Sequence, residues 1–173
     1  MKKNKYFLFE PVLGKEELKN LSHCIKSNWI SSNGKFVDEF ERKFSKYLGG
    51  GHAVAVSNGT TAIELALASL GIEKDDEVIV PNFTFAATIN AVIHIGAKPV
   101  LVDCDRDTWT IDLDKVSKVI NKKTKALLPV HIYGQPSKID EIIDFAKRKK
   151  LLVVEDCAEA LGSTYKKRKV GLD

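Results

Sequence analysis

Five polar clusters in this sequence carry side chains able to bind ligands or move protons, and each follows an apolar run. They are Ser57-Asn-Gly-Thr60, Asn82-Phe-Thr-Phe85, Asp103-Cys-Asp105, His131 ahead of Tyr133-Gly-Gln-Pro136, and Glu155-Asp156 after Leu151-Leu-Val-Val154. A carboxylate such as Asp156, at the carboxyl end of a strand buried on both faces, has three readings. It can hold magnesium in a phosphate-handling enzyme, pair with a ligand's ring nitrogen or ribose hydroxyl, or cap a helix. The chain has no G-x-x-x-x-G-K-[ST] motif, which argues against the magnesium carboxylate of a P-loop enzyme. Ser57–Thr60 opens a helix, so its glycine, threonine hydroxyl and free N–H groups could cradle a phosphate at the positive end of the helix dipole. The same four residues also suit an ordinary N-cap.

The other polar groups have plainer readings. Asp103 and Asp105 could hold a metal and nucleotide-sugar phosphates, as in a glycosyltransferase, and superficially resemble the aspartate pair of phosphatases that form a phospho-aspartate. The polar run through Asp107 to Thr108-Trp109 favours a turn. His131 reads as a satisfied structural residue, and no metal site is expected.

These clusters need elements to bring them together. Leu18, Leu21 and Ile25 predict a helix over Lys15 to Lys26, and Phe36, Phe40 and Phe44 a second helix ending at Gly49-Gly-Gly51. Trp29-Ile-Ser-Ser-Asn-Gly34 between them is turn chemistry, with Trp29 either a core anchor or part of a substrate wall. From Ala53 onward strand and helix alternate. Strands are predicted at 53–56, 77–80, 98–102, 125–130 and 151–154, and helices at 61–70, 86–95, 113–120 and 139–149. That order predicts an α/β layer with a mostly parallel sheet and helices on its faces, and where these strands are neighbours several of the clusters share one rim.

Composition narrows the setting. The length suits one domain, which would bury about 70% of its unfolded surface. The net charge of +4 is mild, and the basic run Lys166-Lys-Arg-Lys169 has no aromatic partners, so it reads as a solvated turn and not as a nucleic-acid surface. Cys24, Cys104 and Cys157 form no C-x-x-C pair and suit a reducing, cytoplasmic setting. Tyr6-Phe-Leu-Phe9 is cut short by Glu10 and Pro11, so neither a signal peptide nor a membrane span is expected.

Taken together, the motifs resemble the pyridoxal-phosphate sugar aminotransferases of the DegT/StrS family. The resemblance rests on Ser57-Asn-Gly-Thr-Thr-Ala62, Asp76-Glu-Val-Ile-Val-Pro81 with Phe83-Thr-Phe85, Gly96-Ala-Lys-Pro99, Val130-His-Ile-Tyr-Gly-Gln-Pro136 and Glu155-Asp-Cys-Ala-Glu-Ala160. Trp29-Ile-Ser-Ser32 and Glu159 look most like its perosamine synthase branch. The resemblance implies a three-layer α/β/α large domain of the fold-type-I, aspartate aminotransferase-like enzymes, partial here over 51–173, preceded by an N-terminal helical segment over 1–50, with the C-terminal small domain absent.

It further implies that pyridoxal 5′-phosphate is the cofactor. Asp156 would pair with the pyridinium nitrogen, Phe85 would stack on the ring, and Gly59 and Thr60 would bind the phosphate. Glu159 would lie beside the ring hydroxyl, where a carboxylate repels a phenolate unless one of the two is protonated. Trp29 and Ser31 would face the substrate. The Schiff-base lysine is expected beyond Asp173, not among Lys166, Lys167 and Lys169.

Two classes of function follow. The chain is either the N-terminal part of an aminotransferase, acting as a homodimer on a nucleotide-linked 4-keto-6-deoxy sugar with glutamate as donor, or a non-catalytic cofactor- or partner-binding remnant. A dehydratase of the same family, with histidine in place of lysine, is a third reading. Uncovered partner surfaces predict that the chain associates.

Overall fold

A computed structural model describes residues 10–31 and 34–172. Tyr6–Phe9, Ser32, Asn33 and Asp173, named above, lie outside the described residues. The elements run α1 (Lys15–Lys26), α2 (Lys35–Leu48), α3 (Gly59–Ser69), β1 (Glu77–Pro81), α4 (Ala86–His94), β2 (Lys98–Val102), α5 (Leu113–Val119), β3 (Thr124–Leu127), a 3-10 turn (Ile132–Gly134), α6 (Ile139–Lys149), β4 (Leu152–Val153), β5 (Thr164–Tyr165) and β6 (Arg168–Lys169).

The strands β1 to β4 form one parallel sheet in the order β2-β1-β3-β4. Side chains alternate across a strand, and β1 shows how this builds three layers. Val78 and Val80 point to one face, where Ile63 and Leu67 of α3 and Ala91 and Val92 of α4 close a core. Ile79 points to the other, against Val116 of α5 and Ile139, Ile142 and Phe145 of α6. The central strands are therefore apolar on both faces, as a helix-covered parallel sheet requires. The α/β/α sandwich expected from the sequence is present.

Two strand expectations change. Ala53–Val56 joins no strand among the described residues. The Ala55 N–H donates instead to the Glu41 side chain at 2.8 Å, and Val54 stands 68% exposed. An apolar run reads as a strand in sequence, but a strand exists only where another lies beside it. Lys125–Val130 is interrupted because Pro129 has no N–H to give. Pairing resumes beyond it: Asp156 N–H donates to Pro129 O at 2.9 Å, His131 N–H donates to Asp156 O at 3.0 Å, and Val130 and Asp156 bridge in parallel.

The basic run forms the tight hairpin of β5 and β6. Lys166 and Lys167 both take positive φ, at 47° and 69°, as the turn joining two closely paired strands requires. Lys166 Nζ meets Asp140 at 2.8 Å, Arg168 bonds the same carboxylate, and Lys169 Nζ sits 3.3 Å from the Tyr47 ring centroid. Lys166's hydrogen bond, followed by its charge, draws the Asp140 pKa below the ordinary carboxylate value. The lysines hold the hairpin to α6 and α2, as the turn reading anticipates. Helices α1 and α2 contribute no fully buried residue.

Candidate functional site

The rim is assembled by strand register. β1, β3 and β4 run parallel, so the segments following their carboxyl ends converge at one edge of the sheet. There a cleft of about 210 Å³ is lined by Gly59, Ile63, Phe85, Ala87, Val130, Asp156, Ala158 and Glu159. Gly59, Phe85, Asp156 and Glu159, picked out from sequence, thus meet in one cavity. Thr60 follows Gly59 in the first turn of α3. Trp29 and Ser31 lie on the α1–α2 connection, and neither lines this cleft.

Asp156 is the buried charge of the site, at 7% exposure. Its Oδ2 accepts from the Thr88 hydroxyl at 2.7 Å and its Oδ1 from the Ala158 N–H at 3.1 Å. Each oxygen keeps acceptor capacity for a donor entering the cleft. Thr88, fully buried in α4, was not singled out in sequence. A threonine in an apolar helix gives no signal of its own, although it lies four residues after Thr84.

The phosphate-cradle reading of Ser57–Thr60 and its N-cap reading coexist. Asn58 caps α3, its Oδ1 accepting from the Thr61 N–H at 2.9 Å. That cap takes the third N–H of the helix and leaves the Gly59 and Thr60 N–H groups without an intrahelical acceptor. A Cβ placed on Gly59 would meet nothing within 4 Å, so the glycine leaves open a space that any side chain would fill.

Glu159 has a partner that sequence could not supply: its Oε2 accepts from the Tyr133 N–H at 2.8 Å. Tyr133 has φ of 49° and Trp109 φ of 61°, strained values for aromatic residues. Both rings pack edge-on against Phe83, with centroids 6.0 Å and 5.1 Å away. The three rings line a second opening of about 360 Å³, with Asp107, Thr108, Ile132 and Gln135. The Glu159–Tyr133 hydrogen bond is where the two openings meet.

His131 is fully buried and bonded at both nitrogens. Nδ1 accepts from the Ser137 N–H at 2.9 Å, so the proton is on Nε2 and is shared with Glu155 Oε2 at 2.9 Å. Glu155, His131 and Cys157 offer ligand atoms within 4.8 Å of one another. A metal on Nε2 would displace that proton to Nδ1, where it would face an N–H donor. Burial, then the Glu155 and Asp156 charges, push the Cys157 thiol up to about 12. The group is a hydrogen-bonded anchor, consistent with the structural reading of His131.

The aspartates after β2 form a turn. Asp103 accepts from Asn82 Nδ2 at 2.7 Å. Asp105 Oδ1 accepts from the Thr108 N–H and hydroxyl and the Asp107 N–H, and these bonds, the Thr108 N–H foremost, hold its pKa below the usual value.

Comparison with known proteins agrees with this geometry. The pattern of the DegT/DnrJ/EryC1/StrS aminotransferase family matches residues 11–172. GDP-perosamine synthase of Caulobacter vibrioides is 48% identical over 161 residues, which are 93% of this chain and 43% of the relative. The crystal structure of an aminotransferase from Psychrobacter cryohalolentis superposes with a TM-score of 0.89 at 39% identity, covering 93% of this chain and 41% of that one. A GDP-4-keto-6-deoxymannose-3-dehydratase, solved with a trapped PLP-glutamate geminal diamine, gives 0.87 at 29% identity over 96% and 45%. The chain spans less than half the length of each.

Proposed function

This chain belongs to the DegT/DnrJ/EryC1/StrS aminotransferase family, and on that premise we propose that it is the N-terminal portion of a pyridoxal-phosphate enzyme that aminates a nucleotide-linked 4-keto-6-deoxy sugar. The observation carrying this reading is Asp156, a buried carboxylate with acceptor capacity toward a cleft that Gly59 leaves open and Phe85 flanks. When bound, the cofactor supplies an electron sink for the carbanion formed during amino transfer.

The residues present suit that group. Asp156 would accept the ring N–H and keep the proton on the nitrogen. Phe85, exposed at the mouth, would offer its face to the ring. The N–H groups of Gly59 and Thr60, with the Thr60 hydroxyl, would receive the phosphate at the positive end of α3. Glu159 is held by the Tyr133 N–H, which favours its charged form, so the ring oxygen beside it would be the protonated partner. No lysine among the described residues lines the cleft, so on this reading the proton-accepting lysine, or the histidine of a dehydratase, would be supplied from outside it.

The aromatic opening beside the cleft suits the substrate. Phe83, Trp109 and Tyr133 provide faces and edges for a nucleobase or a deoxysugar, and Asp107, Thr108 and Gln135 provide polar contacts. We assign GDP as the nucleotide from the names of the perosamine synthase relatives, and glutamate as the donor from the sequence resemblance to that branch. Trp29 and Ser31 reach substrate from outside this cleft, and a homodimer in the cytoplasm is the assembly. The exposed apolar stripe of Leu18, Leu21 and Ile25 on α1 supports further protein packing on this side. No helix among the described residues is long and apolar enough to cross a membrane.

The test is titration of the chain with pyridoxamine phosphate, followed by fluorescence, beside Asp156→Ala. Saturable one-site binding that the variant loses is expected. Equal binding by both would remove Asp156 from the role. Borohydride reduction with pyridoxal phosphate should leave no stoichiometric adduct at Lys166, Lys167 or Lys169.

A further inference from the structure

Asp156 is supported by a chain of hydroxyls that none of the foregoing roles requires. Thr88 Oγ1 lies 2.7 Å from Asp156 Oδ2, and Thr84 Oγ1 lies 2.8 Å from Thr88 Oγ1. A threonine hydroxyl has one proton, and a carboxylate only accepts. The Thr88 proton is therefore committed to Asp156, and the Thr84–Thr88 contact must run the other way, with Thr84 donating. All three groups point in one sense: Thr84 to Thr88 to Asp156.

Thr88 has no exposure and Asp156 has 7%, so the relay operates away from bulk water, where aligned hydrogen bonds polarise and strengthen one another. Thr84 and Thr88 are one helical turn apart at the start of α4, and the same segment carries Phe85. A helix threonine commonly turns its hydroxyl back onto the carbonyl four residues earlier. Here the Thr88 hydroxyl instead accepts from the hydroxyl of that earlier residue, and its own proton goes to the carboxylate. With Oδ1 fixed by Ala158, the carboxylate is pinned at both oxygens and its remaining lone pairs face the cleft.

We propose that Thr84 and Thr88 form a two-hydroxyl relay that aims the Asp156 carboxylate at the ring nitrogen of a bound pyridinium ligand, which makes Thr88 a positioning residue of the site. The proposal rests on the reading of the cleft as a pyridoxal-phosphate site. It predicts that removing the Thr88 hydroxyl weakens only ligands that have a ring nitrogen.

The experiment compares the unaltered chain with Thr88→Val, Thr88→Ser and Thr84→Val, each first shown to be folded by circular dichroism. Affinity is measured for pyridoxamine phosphate and for its 1-deaza analogue, in which carbon replaces the ring nitrogen. Neither ligand needs a lysine. Thr88→Val, which keeps the shape, should weaken pyridoxamine phosphate by about tenfold or more, as expected for a lost hydrogen bond to a carboxylate. Thr88→Ser should return it to within about threefold, and Thr84→Val should show a smaller loss of the same kind.

The 1-deaza analogue should bind all four proteins alike. Unchanged pyridoxamine phosphate affinity in Thr88→Val overturns the relay and leaves the cofactor reading intact. Equal losses for both ligands overturn it in favour of a packing role. If the unaltered chain binds neither ligand, the cofactor reading fails and the relay with it. If Thr88→Val does not fold, Thr84→Val at the half-buried position decides by the same comparison.

Discussion

Replacing His131 by alanine should destabilise the fold by about 3–5 kcal/mol, although His131 touches nothing in the proposed chemistry. The imidazole has no exposure and the Glu155 side chain has 6%, so the change strands a carboxylate in the interior without its donor. It also removes the acceptor of the buried Ser137 N–H, a loss of about 1–3 kcal/mol when such a group goes unpaired. The two losses share one residue and will not simply add. Against a total stability of about 5–15 kcal/mol for a domain, this should be plain in urea denaturation at neutral pH. Glu155→Gln is the informative control. Its amide oxygen can still accept from Nε2–H, so the loss should be about 1 kcal/mol. A loss below about 1 kcal/mol in His131→Ala, or losses of equal size in the two variants, would refute the account of a neutral imidazole bonded at both nitrogens.

Gly59→Ala puts a Cβ into the open space at the start of α3, so pyridoxamine phosphate affinity should fall about tenfold while thermal unfolding moves little, because that Cβ meets nothing in the chain within 4 Å. The Cys157 thiol is raised from 9.0 to about 12 in the fold, so its contribution is complete below pH 9 and is lost as pH climbs toward 12. Denaturation midpoints should decline across that window and decline less in Cys157→Ala; identical slopes would count against it. Trp109→Ala with Tyr133→Ala should weaken GDP binding about tenfold in calorimetry and leave pyridoxamine phosphate unchanged. Lys167→Gly, at φ of 69°, should stabilise the chain by roughly 1 kcal/mol, read from its melting temperature.

The fold was legible wherever periodicity and punctuation agreed. α1, α6 and β2 have the boundaries that the sequence predicts, because an amphipathic stripe or an apolar run lies between clear stop signals. It was not legible where pairing decides. Residues 53–56 have strand composition but no neighbouring strand among the described residues, and Pro129 divides a run that composition alone reads as continuous. In the site, Asp156, Gly59, Phe85 and Glu159 were readable as motifs. Thr88 was not, since its importance comes from a 2.7 Å contact across 68 residues of sequence. Nor was the role of Tyr133, whose backbone N–H and not its ring meets Glu159.

The two borders of the sheet are not equivalent. In β2 the Lys98 N–H points inward to Asp76 O, so the next outward-facing donor belongs to residue 99, and that residue is proline. The border is blunted where a further strand would begin to zip on, and Lys98 adds charge beside it. At β4 the Val154 and Asp156 N–H groups point inward to Leu127 O and Pro129 O, which turns the intervening donors of Val153 and Glu155 outward with no proline between. The β2 border is thus interrupted by a proline, whereas the β4 border continues into the segment that carries Asp156, so a strand pairing there would lie beside the cleft.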